Sequence, residues 1–196
     1  MPRITAATVE AHREAQRRAI LDAARVMVLH DGIEGLRFAE IGEKTGLARP
    51  SIYEYFRNRS ALVQALIDDE FPVWHAEVAR ALASARDPVG AVAAFVRVQL
   101  ELVLNGQHDV AFALMRGPLD AEAAEHLRHQ HAALLSCLGP ALSSMGVKEV
   151  ELASALIARV VEATAERMRM GMEEAGDVEA AVRFATAGAL ALGGSP

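Results

Sequence analysis

The densest group of potential metal ligands in this sequence is the segment HLRHQH, which contains His126, His129 and His131. On a helix the first two imidazoles would be neighbours, whereas His131 would point elsewhere. No carboxylate or thiol completes a ligand set at the spacing that zinc sites use. We therefore expect these histidines on a solvated surface, and we predict neither a metal site nor a cofactor.

The remaining polar residues form no pattern that is typical of an enzyme. We find no nucleophile placed beside a base, no phosphate-binding glycine loop and no pair of acids, so no catalytic residues are assigned. The single cysteine, Cys137, excludes a disulfide scaffold and favours a reducing compartment. The sequence therefore favours a binding protein over an enzyme.

The most informative spacing lies in FAEIGEKTGLARPSIYEYF, residues 38–56. Gly42 offers a small side where two short helices can cross closely, and Gly46 permits a left-handed turn between them. Four apolar residues are spaced to face one core: Ile41, Leu47, Ile52 and Phe56. This pattern predicts a helix-turn-helix. Taken alone, it leaves open an ordinary pair of helices with no role in DNA binding.

Hydrophobic periodicity along the rest of the chain is helical, and we find no segment that alternates as a strand does. We predict an all-α protein of about nine helices. An inner stripe in the first helix consists of Ile20, Ala24, Met27 and Val28. The predicted helices cover residues 8–30, 38–45, 50–56, 59–86, 88–105, 109–116, 119–144, 148–174 and 178–192.

Residues 17–67 resemble the DNA-binding domain of the tetracycline-repressor (TetR) family. The resemblance rests on ILDAA in the first helix, on Gly32 and Gly35 in the next turn, and on GLARPSIYEYF followed by RNRSAL. It implies an N-terminal three-helix DNA-binding domain over residues 1–60. It also implies a helical ligand-binding and dimerisation domain over residues 61–196, where the chain matches the family only in architecture.

The resemblance implies that the third helix enters the major groove of double-stranded DNA. Arg49 would pair with guanine O6 and N7, and Ser51 would bond a base or a phosphate. Tyr53 and Tyr55 would anchor phosphates through their hydroxyls, with packing in the core as the alternative for one of them. The expected DNA contacts are Arg49, Pro50, Ser51, Tyr53, Glu54, Tyr55, Arg57 and Arg59.

Three positions depart from the family pattern. Arg37 and Ala48 stand where a Thr or Ser often caps the second and third helices, a loss of about 1 kcal/mol each. Glu54 places an acid beside DNA, where it would accept a hydrogen bond from cytosine N4 or repel phosphate. Arg3 and Arg13 could form a basic arm, with a solvated tail as the alternative for Arg3.

The last two predicted helices carry apolar stripes at helical spacing. In the resembled family these helices pair with their copies, which implies a homodimer that reads a near-palindromic operator; packing within one chain is the alternative. The stripe residues are Ala153, Leu156, Ile157, Val160, Thr164, Met168 and Met172, then Val178, Ala181, Val182, Ala185, Ala189 and Leu192.

We expect a small-molecule pocket among the middle helices, with plain core as the alternative. The candidates are Trp74, Phe95, Gln99, Phe112, Met115, Cys137 and Thr164. The resemblance thus implies a transcriptional regulator, more often a repressor, that a small-molecule effector releases from its operator. Two alternatives stay open. One is a helical small-molecule-binding protein or enzyme with a vestigial helix-turn-helix, and the other is an interaction protein whose basic face meets acidic protein.

Charge and hydropathy limit the location and the partners. Residues 1–60 hold ten Lys and Arg against eight Asp and Glu, whereas residues 61–196 hold ten against eighteen. This asymmetry permits a basic face near the N-terminus within a chain of net charge -6. We recognise no signal peptide and no apolar stretch that would span a bilayer, so we expect a cytoplasmic protein without membrane partners.

Overall fold

The computed structural model describes residues 6–106, 108–172, 174 and 176–194, and all regular structure within this part is helical. The all-α fold class is confirmed. A short 3-10 helix, Ile33–Gly35, follows the first α-helix. The α-helices of the described residues are α1 (Ala6–Asp31), α2 (Phe38–Thr45), α3 (Arg49–Tyr55), α4 (Arg59–Ala83), α5 (Pro88–Leu104), α6 (Asp109–Arg116), α7 (Ala121–Ser136), α8 (Gly139–Ser144), α9 (Val150–Arg169) and α10 (Asp177–Gly193).

The chain divides into two compact units. The first unit contains the chain up to Glu70 together with Asp109–Arg128, and the second contains Phe71–His108 together with His129–Pro196. The expected division of function at residue 60 stays a prediction.

In the first unit, α1 packs against α2, the 3-10 helix and α6. The predicted inner stripe of α1 is confirmed, because Ile20, Ala24, Met27 and Val28 are all buried. Arg25, on the same helix, forms ion pairs with Asp69 and with Glu70, where Nε lies 2.6 Å from Oε1. Because these side chains are largely shielded from water, the pairs tie α1 to α4 more firmly than surface pairs would.

In the second unit, α5 packs against α8, α9 and α10, and α9 packs against α10. Its core includes the fully buried side chains of Phe71, Trp74, Phe95 and Leu100. Asp87 caps α5 by accepting a hydrogen bond from the amide of Gly90 at 2.7 Å. Pro72 lies inside α4 without ending it, between the buried side chains of Phe71 and Trp74.

Most predicted helices differ from the structure by one to three residues at an end, and two differ more. The segment 119–144 is two helices, α7 and α8, because Pro140 in the first turn of α8 has no N–H with which to continue the helix. The helix predicted to reach residue 174 ends at Arg169, and Gly171 follows with φ +66°. In the described part of the chain, no single helix combines the length and apolar content that crossing a membrane requires, although α5 and α6 meet that test as a pair.

Candidate nucleic-acid interface

The turn between α2 and α3 is built on two glycines in different roles. A Cβ on Gly42 would lie 2.7 Å from the carbonyl oxygen of Leu47, so no larger residue fits without movement. Gly46 adopts φ 69° and ψ 15°, the left-handed conformation that L side chains resist. Both predictions for this turn are confirmed, and the close crossing fixes α3 against α2.

This crossing determines which side of α3 faces outward. Ile41, Ile52 and Phe56 are buried and Leu47 is half-buried, so the predicted inner face is in place. On the opposite side four of the expected DNA contacts are exposed, and Ser51 is half-buried at the edge. The exposed residues of α3 are Arg49, Pro50, Tyr53 and Glu54.

Arg49 and Tyr53 form one structural group on this face. The Tyr53 ring packs on Phe38 with 4.9 Å between the ring centroids. The Arg49 guanidinium lies 5.8 Å from the centroid of the Tyr53 ring, and its Nη2 donates to the Tyr53 hydroxyl at 3.3 Å. Stacking of this kind restricts the arginine, so Arg49 meets a ligand with less loss of side-chain entropy.

Tyr55 differs from Tyr53, because it is half-buried and turned towards α1. Its hydroxyl donates to Oε1 of Gln16 at 2.5 Å, and the Arg13 guanidinium lies 5.6 Å from the ring centroid. Its role as a phosphate anchor therefore stays a prediction. Arg13 belongs to α1 rather than to an extended arm, and Arg3 lies outside the described residues.

The start of α4 is held by several polar contacts. Asn58 caps the helix, since its Oδ1 accepts from the Ala61 amide at 2.8 Å. Arg57 donates to Glu122 at 3.1 Å, and Arg59 donates to the carbonyl oxygen of Ile33. Both arginines are exposed and keep further N–H groups for a ligand.

Asp120 reinforces this region from the segment before α7. Its carboxylate accepts from the Ala123 amide and from the Ser60 hydroxyl, each at 2.9 Å. These hydrogen bonds, the one from Ala123 first, lower the pKa of Asp120 below its ordinary 3.8. In contrast, the side chains of Arg37 and Ala48 make no capping hydrogen bond at the starts of α2 and α3.

The three histidines do not act together. His126 pairs with Asp68, with 2.7 Å between Nε2 and Oδ1, and His129 is exposed. His131 is half-buried, and burial lowers its pKa, with Arg159 adding to the effect and Glu162 opposing it. Among the described residues, no group of three His, Cys, Asp or Glu side chains is arranged to hold a metal ion.

The expected pocket residues are divided between the two units. Phe112 and Met115 belong to the first unit and the other candidates to the second. Cys137 lies at an open groove beside Arg86 and Asp87. The hydroxyl of Thr164 donates to the Val160 carbonyl oxygen at 2.8 Å, one turn earlier on α9. The assignment of these seven residues to an effector pocket stays a prediction.

Trp74, Phe95 and Gln99 are the fully buried candidates of the second unit. The side-chain amide of Gln99 donates to the Phe95 carbonyl oxygen at 3.3 Å. The Trp74 ring stacks on His108 with 5.5 Å between centroids. Gln99 and His108 are thus polar groups within a largely apolar interior, which is the composition that small-molecule sites use.

The second unit also exposes an apolar face on α9 and α10. Phe184 is 70% exposed and Leu156 is 51% exposed, and together with Leu192 they line a groove of about 450 Å³. Arg159 is the charged residue among its described lining. A Cβ on Gly188, in the same groove, would meet nothing within 4 Å inside the protomer. Leu156, Leu192 and Met172 were expected in inner stripes, and their exposure shows that the protomer itself does not cover them.

Comparisons with known proteins identify the N-terminal segment. Residues 20–66 match the family of bacterial regulatory proteins described as the tetR family, so the expected resemblance is confirmed. The regulator TtgR of Pseudomonas putida is 36% identical over 99 residues, 48% of this chain and 47% of that protein. The regulator RutR of Escherichia coli is 28% identical over 88 residues, 45% of this chain and 41% of that protein. The chain thus spans about half the length of these relatives.

Solved structures extend the likeness to the whole fold. FadR of Bacillus subtilis, a transcriptional regulator in complex with stearoyl-CoA, has a TM-score of 0.72 at 17% identity, over 87% of this chain and 98% of that one. A TetR-family regulator from Agrobacterium tumefaciens has a TM-score of 0.68 at 17% identity, over 89% and 97% of the two chains. The helical architecture is therefore shared well beyond the matched segment.

Proposed function

We propose that this chain is a transcriptional regulator that binds a near-palindromic DNA operator as a homodimer and is released by a small-molecule effector. The observation that carries the proposal is the outward face of α3, held by the Gly42 and Gly46 turn within a segment that matches a family of bacterial regulators. Repression is the mode of regulation that we favour.

On this proposal, Arg49 reads guanine through its forked guanidinium, and Ser51 bonds a base or phosphate at the edge of the face. Tyr53, Arg57 and Arg59 contact the backbone and set the register of α3 in the groove. Glu54 is exposed on the same helix, so it contributes to specificity by accepting from cytosine or by excluding other bases.

The homodimer is supported by the apolar face of α9 and α10. An exposed apolar groove of this kind is costly in water, and covering it with a second copy stabilises both. Gly188 also supports the homodimer. A Cβ at this position would meet no atom of the same protomer, so the missing side chain leaves space in which a helix of the second copy can approach closely. Two-fold pairing would place two α3 helices one DNA turn apart, about 34–36 Å.

We place the effector in the second unit, near the buried group of Trp74, Phe95 and Gln99. The stearoyl-CoA bound by Bacillus subtilis FadR supports small-molecule binding by this fold. Effector binding must favour a conformation with weak DNA affinity, and DNA must weaken effector affinity by the same factor, roughly 5- to 150-fold.

Pro72→Ala should alter this coupling factor between effector and DNA more than it alters the DNA affinity of the effector-free protein. The reason is that Pro72 interrupts the hydrogen bonding of α4.

We propose that the chain has no catalytic activity and that it works in the cytoplasm. The relatives that match the chain are regulators, and among the described residues we assign no catalytic group. Turnover of a bound small molecule by the purified protein would favour the alternative of an enzyme or carrier with a vestigial helix-turn-helix.

The test is selection of bound duplexes from a random library, followed by fluorescence anisotropy at several salt concentrations. The unaltered protein should select a near-palindrome and lose affinity steeply with salt. Arg49→Ala should lose preference at one base pair per half-site, at a cost of about 1–3 kcal/mol. Arg80→Ala, on exposed helical surface, is the control. Equal enrichment of all duplexes would overturn the proposal.

A further inference from the structure

The first unit contains a groove in which the charged side chains, among the described lining residues, are arginines. It has a volume of about 370 Å³ and lies between the start of α2, the exposed face of α3 and the start of α4. Among the described residues that line it are Arg37, Arg49 and Arg59, with Tyr53 and Asn58 beside them. Three guanidiniums around one concave site attract a compact anion with several acceptor oxygens.

Two of these arginines are already held in place. Arg49 stacks on Tyr53, and Arg59 is bonded to the Ile33 carbonyl oxygen, so each presents its remaining N–H groups from a restricted position. Arg37 differs, because it pairs with Glu40 at 3.0 Å and both side chains of that pair are exposed. Such surface pairs contribute little, and Arg37 can exchange Glu40 for a stronger acceptor.

The backbone adds to the attraction at the same point. Arg37 precedes α2, and no side chain of that residue caps the helix. The first N–H groups of a helix carry partial positive charge that favours an anion. Where the resembled family often has a capping Thr or Ser before α2, this chain therefore has the guanidinium of Arg37, which lines the groove.

We propose that this groove binds one phosphodiester group of the DNA backbone per protomer through Arg37 and Arg59, while Arg49, on the α3 side of the groove, reaches the bases. The inference rests on the proposed function and adds a DNA contact that the sequence pattern did not assign. Arg37 positions the protein on the duplex and carries no sequence information, because phosphates are the same at every base pair.

The experiment compares Arg37→Ala, Arg37→Lys and unaltered protein on the selected duplex, by anisotropy at four KCl concentrations. Arg80→Ala is the matched control, since Arg80 also forms an exposed pair with a glutamate three positions away, Glu77. Arg37→Ala should bind roughly ten-fold more weakly. Its slope of log affinity against log salt should become shallower by about two, because each protomer of the dimer loses one arginine–phosphate contact. Arg37→Lys should keep the slope at intermediate affinity, and Arg80→Ala should match unaltered protein.

A second arm locates the phosphate on the DNA. Duplexes carrying one neutral methylphosphonate should include one position per half-site that weakens unaltered protein clearly more than it weakens Arg37→Ala. Inorganic phosphate that competes with DNA at constant ionic strength, without any such position, would assign the groove to a free anion and overturn the inference.

Failure of the inference and failure of the proposed function give different results. If Arg49→Ala changes the preferred sequence while Arg37→Ala binds with unaltered affinity and slope, only the inference falls. If Arg37→Ala changes the preferred sequence, Arg37 reads bases and the backbone assignment is wrong. If unaltered protein selects no duplex, both fall together. Circular dichroism of each variant verifies that the helices are retained.

Discussion

The protein exposes two faces of opposite chemistry, one in each unit. The α3 face of the first unit presents Arg49, Tyr53 and Glu54, whereas the α9–α10 face of the second presents Phe184 and Leu156. The exposed guanidinium of Arg49 is hydrated at little cost in free energy, and DNA is the polyanion that we propose it binds. Exposed apolar surface is unfavourable in water until it is covered, which is why we propose this face as the homodimer interface.

The two faces also differ in how they are built. The α3 face depends on glycine at a point of close contact within the protomer, at Gly42. The apolar face contains Gly188, where the protomer leaves open space. At Gly42 the close neighbour shows packing within the protomer, whereas at Gly188, in the middle of α10, the protomer leaves space that a second copy could fill.

The largest expected effect comes from placing a charge on the apolar face. Phe184→Glu should weaken the homodimer by about 4 kcal/mol, since each of two copies loses an aromatic contact of about 2 kcal/mol. Sedimentation velocity should detect monomers, and operator affinity should fall with dimerisation. Arg183→Glu, on the adjacent exposed position, tests whether charge anywhere on α10 has the same effect. A stable dimer of Phe184→Glu would contradict this use of the face.

Substitutions of the two glycines should have opposite signs. Gly42→Ala places a methyl group against a backbone oxygen and should cost about 1–3 kcal/mol of unfolding free energy, measured in urea. Gly188→Ala should not destabilise the protomer, because alanine favours the helix by about 1 kcal/mol, yet it should weaken self-association. Equal destabilisation by both would remove the distinction between the two faces.

The helix caps allow a matched test of stability against binding. Asn58→Ala and Asp87→Ala each remove a side-chain cap, at α4 and at α5, and each should cost about 1 kcal/mol of stability. Only Asn58→Ala should also weaken DNA binding, because Asn58 lies beside the arginine-lined groove. A similar loss of DNA affinity in Asp87→Ala would mean that stability alone controls binding.

The smallest effect concerns pH. Burial lowers the pKa of His131 below its ordinary 6.5, so the unfolded chain takes up a proton more readily than the folded chain. Stability should therefore fall as pH drops from 6.5 towards the lower folded pKa. His131→Gln should reduce the difference in Tm between pH 7.5 and pH 5.5, whereas His129→Gln, at an exposed position, should not. If the Tm difference between the two pH values were unchanged in His131→Gln, His131 would not be the group that makes stability depend on pH.

The parts of the fold that depend on local chemistry could be predicted from the sequence. Residues 38–45 were placed correctly as α2, because Gly46 ends the helix through its own backbone preference. The inner stripe of α1 followed from apolar spacing alone. The segment 119–144 was predicted as one helix although Pro140 lies inside it, because its apolar spacing continues past the break.

Contacts between distant segments could not be predicted in the same way. The hydrogen bond between Tyr55 and Gln16 joins residues 39 positions apart, and neither residue type requires it. Periodicity identified the stripes of α9 and α10 but could not say which residues the protomer covers, so Leu156 and Ala153 were grouped although only Ala153 is buried. Phe112 and Trp74 belong to different units, and their assignment to one pocket stays a prediction.

The hydrogen bond between Tyr55 and Gln16 has a consequence for attempts to change the DNA sequence that we propose the protein binds. Grafting a foreign α3 onto this scaffold would replace Tyr55 while keeping the Gln16 that orients it. The transplanted helix would then lose its anchor to α1, and its C-terminal turn would settle in a new position. Libraries that vary Gln16 and Arg13 together with α3 should therefore yield more altered-specificity variants than libraries restricted to α3.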